Sequence, residues 1–220
     1  MRSLLFFVAM FAAFFIFSCE ENSTTSGAAE KAVVDYFPAM AVTDTMLFEV
    51  FPDGDTSGTT RIPTSAFFRK MPTRLMNEIQ YFDNTAPLYV YARGRFPLAE
   101  GKEALLADLR QNWYQHQSLF IYDAAADTIT ARSTVAEFYG GEGGQITTGS
   151  YLLDLDGDGD KDLVRREVER WIDTSSGDAV ENFAHYVSVF HWQDGDFREA
   201  PIADSAALIQ AFPLKSVISN

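Results

Sequence analysis

Residues 154–162 read Asp-Leu-Asp-Gly-Asp-Gly-Asp-Lys-Asp, with carboxylates at the alternate positions 154, 156, 158, 160 and 162. In an extended chain, alternate side chains share one face. Two carboxylates about 4 Å apart repel by roughly 4 kcal/mol at an effective dielectric near 20. Lys161 is the one positive charge in the stretch and cannot neutralise five acids. A chain that brings these oxygens together therefore needs a cation. Oxygen donors, with Gly157 and Gly159 letting the backbone curl, suit a hard ion that takes about six to eight oxygens. Calcium fits this better than magnesium, which keeps more of its water. The stretch holds no histidine or cysteine, the ligands that zinc, copper and iron prefer. The expected cofactor is calcium, at Asp154, Asp156, Asp158, Asp160 and Asp162.

Asp154-x-Asp156-x-Asp158-Gly159-x-x-Asp162 resembles the DxDxDG calcium loop of EF-hands, dockerins and the FG-GAP/VCBS-type repeats of extracellular propellers. By the EF-hand order, the resemblance implies ligands from Asp154, Asp156 and Asp158 at the first, third and fifth places. It puts the sharp turn at Gly159, the backbone carbonyl of Asp160 at the seventh place and Asp162 at the ninth. The twelfth place, a bidentate Glu in an EF-hand, is Arg165 here, and strand-like segments flank the loop. The likeness is therefore to the strand–loop–strand of FG-GAP/VCBS repeats. It covers one loop of the chain. Loss of the twelfth ligand implies weak affinity, in the ~10⁻⁴–10⁻³ M range of extracellular modules.

The N-terminus reads as an address. Met1 and Arg2 precede an apolar run from Leu4 to Phe17, then Ser18 and Cys19. As a helix that run spans about 21 Å, short of the ~30 Å hydrocarbon core of a bilayer. Residues 1–18 therefore read as a cleaved signal peptide. Ile16-Phe17-Ser18-Cys19 resembles a bacterial lipobox, which implies lipidation of Cys19, palmitate included, and a membrane attached through it. Lipidation also accounts for a single unpaired thiol in an exported chain. Glu20 and Glu21 behind it resemble a surface-export signal, so the expected location is the cell envelope, at the outer membrane or cell surface. Residues 20–31, EENSTTSGAAEK, are small and polar. The expected organisation is a lipidated cysteine and tether over 19–35 and one globular domain over 36–220.

The 220 residues carry 17 Lys and Arg against 31 Asp and Glu, a formal charge of −14. Nucleic acid is excluded as a partner, because its phosphates call for a basic surface. One cysteine excludes an internal disulfide framework. Hydrophobic residues make up 47% of the chain, enough for a core.

That core reads as α+β, mainly antiparallel β meander or hairpins with a few short helices. Thr45–Phe51, Leu88–Arg95, Ser118–Tyr122, Tyr151–Leu155, Leu163–Ile172 and Phe183–Trp192 have strand patterns. Asp127–Ala131 adds a further strand. Asp194-Gly195 is a hairpin turn. Glu103–Gln111 fits either a helix face or a strand, and its strand-like neighbour favours a hairpin. Pro72 opens a short helix carrying Leu75, Met76 and Ile79 on one face. Val135–Tyr139 reads as a helical turn ended by Gly140, Gly140–Gly144 as a mobile loop, and Ala206–Phe212 as a C-terminal helix.

Catalytic constellations are absent. There is no G-x-S-x-G elbow and no H-E-x-x-H. His185 and His191 share a strand face about 20 Å apart, too far to share a metal, and read as structural. His116 reads as packing. Trp113, Trp171 and Trp192 read as core before they read as a sugar platform. The sequence thus points to an exported calcium-binding lipoprotein with a binding or structural role, and a protein or glycan of the envelope as its partner. The alternative is an envelope hydrolase or glycan-active enzyme built on distant acids, with calcium as a scaffold ion.

Overall fold

The computed structural model describes residues 31–51, 58–79, 86–112, 114–141, 143–175 and 177–216. The expected signal peptide, Cys19 and the expected tether up to residue 30 lie outside the described residues, as does Trp113. The described body is mostly antiparallel β-sheet with a few short helices.

Its strands are β1 (Thr45–Phe48), β2 (Thr60–Ile62), β3 (Tyr89–Ala99), β4 (Lys102–Gln111), β5 (Tyr114–Asp123), β6 (Thr128–Gly141), β7 (Gly144–Leu153), β8 (Asp162–Asp173), β9 (Val180–Gln193) and β10 (Asp196–Ala200). The helices are α1 (Thr64–Arg69), α2 (Thr73–Glu78) and α3 (Ser205–Ala211), with a 3-10 turn at Val33–Tyr36. From β2 to β10 each strand pairs with the next in the chain, an antiparallel meander, and β1 adds to β7.

The strongest strands are buried on both faces. Along β4, Leu105, Ala107 and Leu109 join one core, while Ala104 and Leu106 join a second. Along β5, Phe120 and Tyr122 face the first core, Leu119 and Ile121 the second. This two-sided burial explains why Glu103–Gln111 fits helix and strand alike: a strand covered on both faces loses the polar alternation that marks it. The first core is capped by Val33, Phe37, Phe67, Met71, Leu75 and Ile79 from the 3-10 turn, α1, α2 and their margins. The expected helix behind Pro72 forms, with Leu75 and Ile79 buried. Val33, in the 3-10 turn, is part of this core.

The second core is closed by β1 (Met46, Phe48), with Val50 just beyond it, and by Leu152, Leu163 and Phe197. β7 makes this possible by changing partners. Its first half pairs with β6 as far as Thr148, and from Ser150 it pairs with β1. Gly149 sits at the change-over. A Cβ there would stand 2.6 Å from Leu214 Cδ2 and 3.1 Å from the Phe48 carbonyl oxygen, so a side chain would push β1 and the C-terminal segment off.

Two expectations are corrected. Val135–Tyr139 is not a helical turn but part of β6, where a bulge near Val135 shifts the register against β5. A bulged strand puts neighbouring apolar residues on one side, which imitates a helical face. Gly140–Gly144 is expected as a loop, yet Gly140 and Gly141 belong to β6 and Gly144 to β7, with Gly141 opposite Gly144 and Gly143 at φ +89°.

The sheet edges are blunted. β2 is three residues long, and β10 carries Asp196, Arg198 and Glu199. Buried Arg166 ties the C-terminal helix down, donating from Nη1 to the carbonyls of Ile209 and Phe212 and from Nε to that of Tyr186.

Candidate functional site

The acidic loop joins β7 to β8, strand–loop–strand as expected. Gly157 and Gly159 take φ of +84° and +94°, a left-handed backbone that glycine adopts without strain. The loop is held by its own carboxylates. Asp154 accepts from Gly157 N–H at 2.7 Å and Gly159 N–H at 3.1 Å, and Asp158 accepts from Asp160 N–H at 2.8 Å. Asp156 accepts from Asp158 N–H at 3.2 Å. These bonds curl the backbone round the acids and fix where the side chains point.

One carboxylate oxygen each from Asp154, Asp156 and Asp158 lies within 4.8 Å of the others. Oxygens that share a calcium ion at about 2.3–2.6 Å stand no further than about 5 Å from each other. The three carboxylates therefore stand close enough to share one ion. No lysine or arginine among the described residues is paired with them. Lys161 turns away and donates to the backbone carbonyl of Asp44 at 3.0 Å.

The other two aspartates do different things. The carboxylate of Asp160 joins neither group of converging ligand atoms, while its N–H holds Asp158. Asp162 is 2% exposed, and its oxygens accept from Leu155 N–H at 3.1 Å and Trp192 N–H at 3.3 Å. It thereby ties the loop to β8 and β9. His191 completes this corner: its Nδ1 lies 3.0 Å from Asp162 and 3.6 Å from Asp156. Asp156, Asp162 and His191 form a second convergent group. Sequence reasoning placed His191 beside His185 as a structural residue and missed the loop that β9 brings against it. In the tautomer that carries its proton on Nδ1, His191 would donate to Asp162, and in the other tautomer the same atom would be open to an ion.

No protein-family model, no curated protein and no solved structure matches this chain. What the molecule does is therefore read from its own geometry.

A second polar region lies deeper in the same sheet. Opposite residues on four adjacent strands, His116, Glu137, Thr148 and Glu167, form one row across β5, β6, β7 and β8. Together with Tyr114, Arg132, Thr134 and Arg165 they line a chamber of about 240 Å³. Tyr114, His116 and Thr148 are buried, while the two arginines and two glutamates are partly exposed. Tyr114 donates its hydroxyl to Glu137 at 3.0 Å. Arg132 donates to Thr134 Oγ1 at 2.8 Å and to the Glu78 carbonyl at 2.8 Å. The guanidinium of Arg165 lies 4.6 Å from the centre of the Phe190 ring.

Burial sets the protonation of this chamber. It pushes His116 down to about 3, with the nearby Arg132 charge acting the same way, so the imidazole is neutral. Burial also raises the carboxyl of Glu167, helped by Glu169. Sequence reasoning saw none of this as a site, reading His116 as packing. The available signal was polarity within a strand: Gln115, His116, Gln117 and Ser118 run directly into the apolar residues of β5.

A neighbouring cavity of about 260 Å³, which His116 also borders, differs in one respect. Its charges answer each other, with Asp108 accepting from Arg93 Nε at 2.9 Å and Nη2 at 2.7 Å, and from Arg110 at 3.2 Å.

Proposed function

We propose that this chain is an exported, lipid-anchored protein of the cell envelope that binds calcium at the β7–β8 corner and has a binding or structural role. The observation that supports the reading is that one carboxylate oxygen each of Asp154, Asp156 and Asp158 lies within 4.8 Å of the others in a strand–loop–strand. Those three carboxylates would hold the ion, with the backbone of Asp160 as a further donor in the manner of DxDxDG loops. Asp162, buried and accepting from the N–H groups of Leu155 and Trp192, positions the loop. Bound calcium would supply the positive charge that Lys161 does not, and so would fix the corner where β7, β8 and β9 meet.

The binding role is supported by the far end of the β8–β9 hairpin. Trp171, Val180 and Tyr186 are exposed on one face of it and Ile172 and Phe183 on the other, apolar side chains of the kind partners cover. The anchor at Cys19 would present this body to partners from a membrane.

Calorimetric titration of the full chain with calcium, in detergent and excess magnesium, tests the metal reading. A saturable isotherm with a dissociation constant of about 10⁻⁴–10⁻³ M is expected, and heats no larger than dilution would overturn it. Cell fractionation tests the anchor: the chain should move from the membrane to the soluble fraction when Cys19→Ala is introduced, and an unchanged distribution would refute lipidation at that residue.

A further inference from the structure

The chamber between β5 and β8 contains a polar side chain with nothing to bond to. His116 is 2% exposed, and neither Nδ1 nor Nε2 has a hydrogen-bond partner. Its ring lies 5.4 Å from that of Tyr114 and feels the charge of Arg132, which places it on the chamber side of β5. The buried Nε of Arg132 is also without a partner. Buried polar atoms in folded proteins are almost always hydrogen-bonded, and exceptions call for an explanation. In the neighbouring cavity Asp108 takes up Arg93 and Arg110, although the buried Nε of Arg110 itself makes no hydrogen bond there, so the unpartnered imidazole is what sets the chamber apart.

The lining specifies what would supply the missing partners. Two arginines face two glutamates around a neutral imidazole, so the charges cancel and neither an anion nor a cation is preferred overall. Arginine only donates and carboxylate only accepts, while a neutral imidazole does one at each nitrogen. A hydroxyl does both, and several hydroxyls on one rigid frame could satisfy all of these at once. Strands about 4.8 Å apart put the backbones of Glu137 and Glu167 about 10 Å apart on either side of Thr148, a span over which one six-membered ring lying above the sheet could meet both carboxylates. The chamber volume of about 240 Å³ lies below the about 300–1,000 Å³ typical of drug-sized sites, which again fits a single ring.

We propose that this chamber binds one sugar residue, an uncharged ring bearing several hydroxyls, with Arg165 and Glu167 at its mouth and His116 at its floor. The site is separate from the acidic loop and does not depend on calcium.

The chain has three histidines, so each ring carbon can be followed by carbon–proton NMR on the full chain labelled at histidine, in a detergent without a sugar headgroup. Glucose, galactose and N-acetylglucosamine are the probes, with glycine and acetate as charged controls. A saturable shift of the His116 signal at millimolar sugar, with His185 unmoved, is expected. Glu167→Gln and Arg165→Met should each weaken that binding about ten- to hundredfold, as expected on loss of a charge-assisted hydrogen bond. No saturable shift with any of the three sugars would overturn the proposal, leaving a chamber filled by water. Saturation by glycine or acetate but not by sugars would overturn it in favour of a charged ligand. Sugar affinity unchanged in both variants would place the sugar elsewhere and overturn it too. Should either variant fail to fold, the wild-type titration decides alone. His191 reports on the acidic loop, so a failure here and a failure of the calcium reading are distinguishable.

Discussion

The acidic loop and the polar chamber both draw on β8, and they handle charge in opposite ways. The loop gathers charges of one sign at the surface, where Asp154, Asp156 and Asp158 are exposed and water moderates their repulsion. The chamber gathers both signs part-way into the protein and balances them, Arg132 and Arg165 against Glu137 and Glu167. Position along one strand decides which regime a residue enters. Asp162 opens β8 and anchors the loop, while Arg165 and Glu167, further along the same strand, line the chamber. Arg165 stands at the place where an EF-hand would carry its last calcium ligand. Here it serves the other site. The lesson is that a surface cluster of like charge leans on water or an ion, whereas a buried balanced cluster leans on hydrogen-bond partners.

The largest expected effect falls on the strut that separates the two regions. Asp162→Ala removes a buried acceptor and leaves the N–H groups of Leu155 and Trp192 unsatisfied, at a cost of about 3 kcal/mol. Asp160→Ala, in the same loop but exposed, should stay within about 0.5 kcal/mol. Chemical denaturation of both variants checks this, and equal losses would show that Asp162 is no strut.

Acid should act next, and on the chamber. The unfolded imidazole titrates near 6.5, while folded His116 is held at about 3 among Tyr114, Arg132, Glu137, Arg165 and Glu167. Its contribution to stability is therefore complete above pH 6.5 and is lost as pH falls towards 3, at up to about 1.4 kcal/mol per unit. Glu167, with its pKa raised, works the other way: taking up a proton favours the fold as pH falls into the carboxylate range. Denaturation midpoints between pH 7 and 4.5 should decline in the natural chain and decline less in His116→Gln. Parallel curves would contradict a buried neutral His116.

The smallest effects separate the aspartates of the loop by affinity. Asp156→Ala or Asp158→Ala should weaken calcium binding about tenfold or more, and Asp160→Ala by less than about threefold, since residue 160 would offer its backbone. Equal losses at all three positions would contradict this assignment.

The two regions also differ in how legible they were. The grouping of acids in the loop could be read because Asp154, Asp156 and Asp158 are neighbours in the chain, and alternate spacing with a glycine turn is a local pattern. Even so, the sequence did not separate Asp162, which is buried by strands arriving from elsewhere, from Asp154, Asp156 and Asp158. The chamber could not be read, because His116, Glu137, Thr148 and Glu167 become neighbours only through the register of four strands. A bulge in β6 sets part of that register, and the same bulge made Val135–Tyr139 look helical. The β-rich architecture was legible from turn residues and strand composition. The change of partners along β7, which admits β1, was not, because it depends on a close approach at Gly149 to residues distant in the chain.

The central claim, that the carboxylates of the β7–β8 loop converge in order to hold a calcium ion, is tested most directly by thermal melting of the full chain at neutral pH. One sample is stripped with chelator and the other is brought to several millimolar calcium. An ion at ten times its dissociation constant adds about 1.4 kcal/mol to stability, so the melting temperature should rise by a few degrees with calcium and fall back on chelation. Superimposable melting curves would contradict the claim.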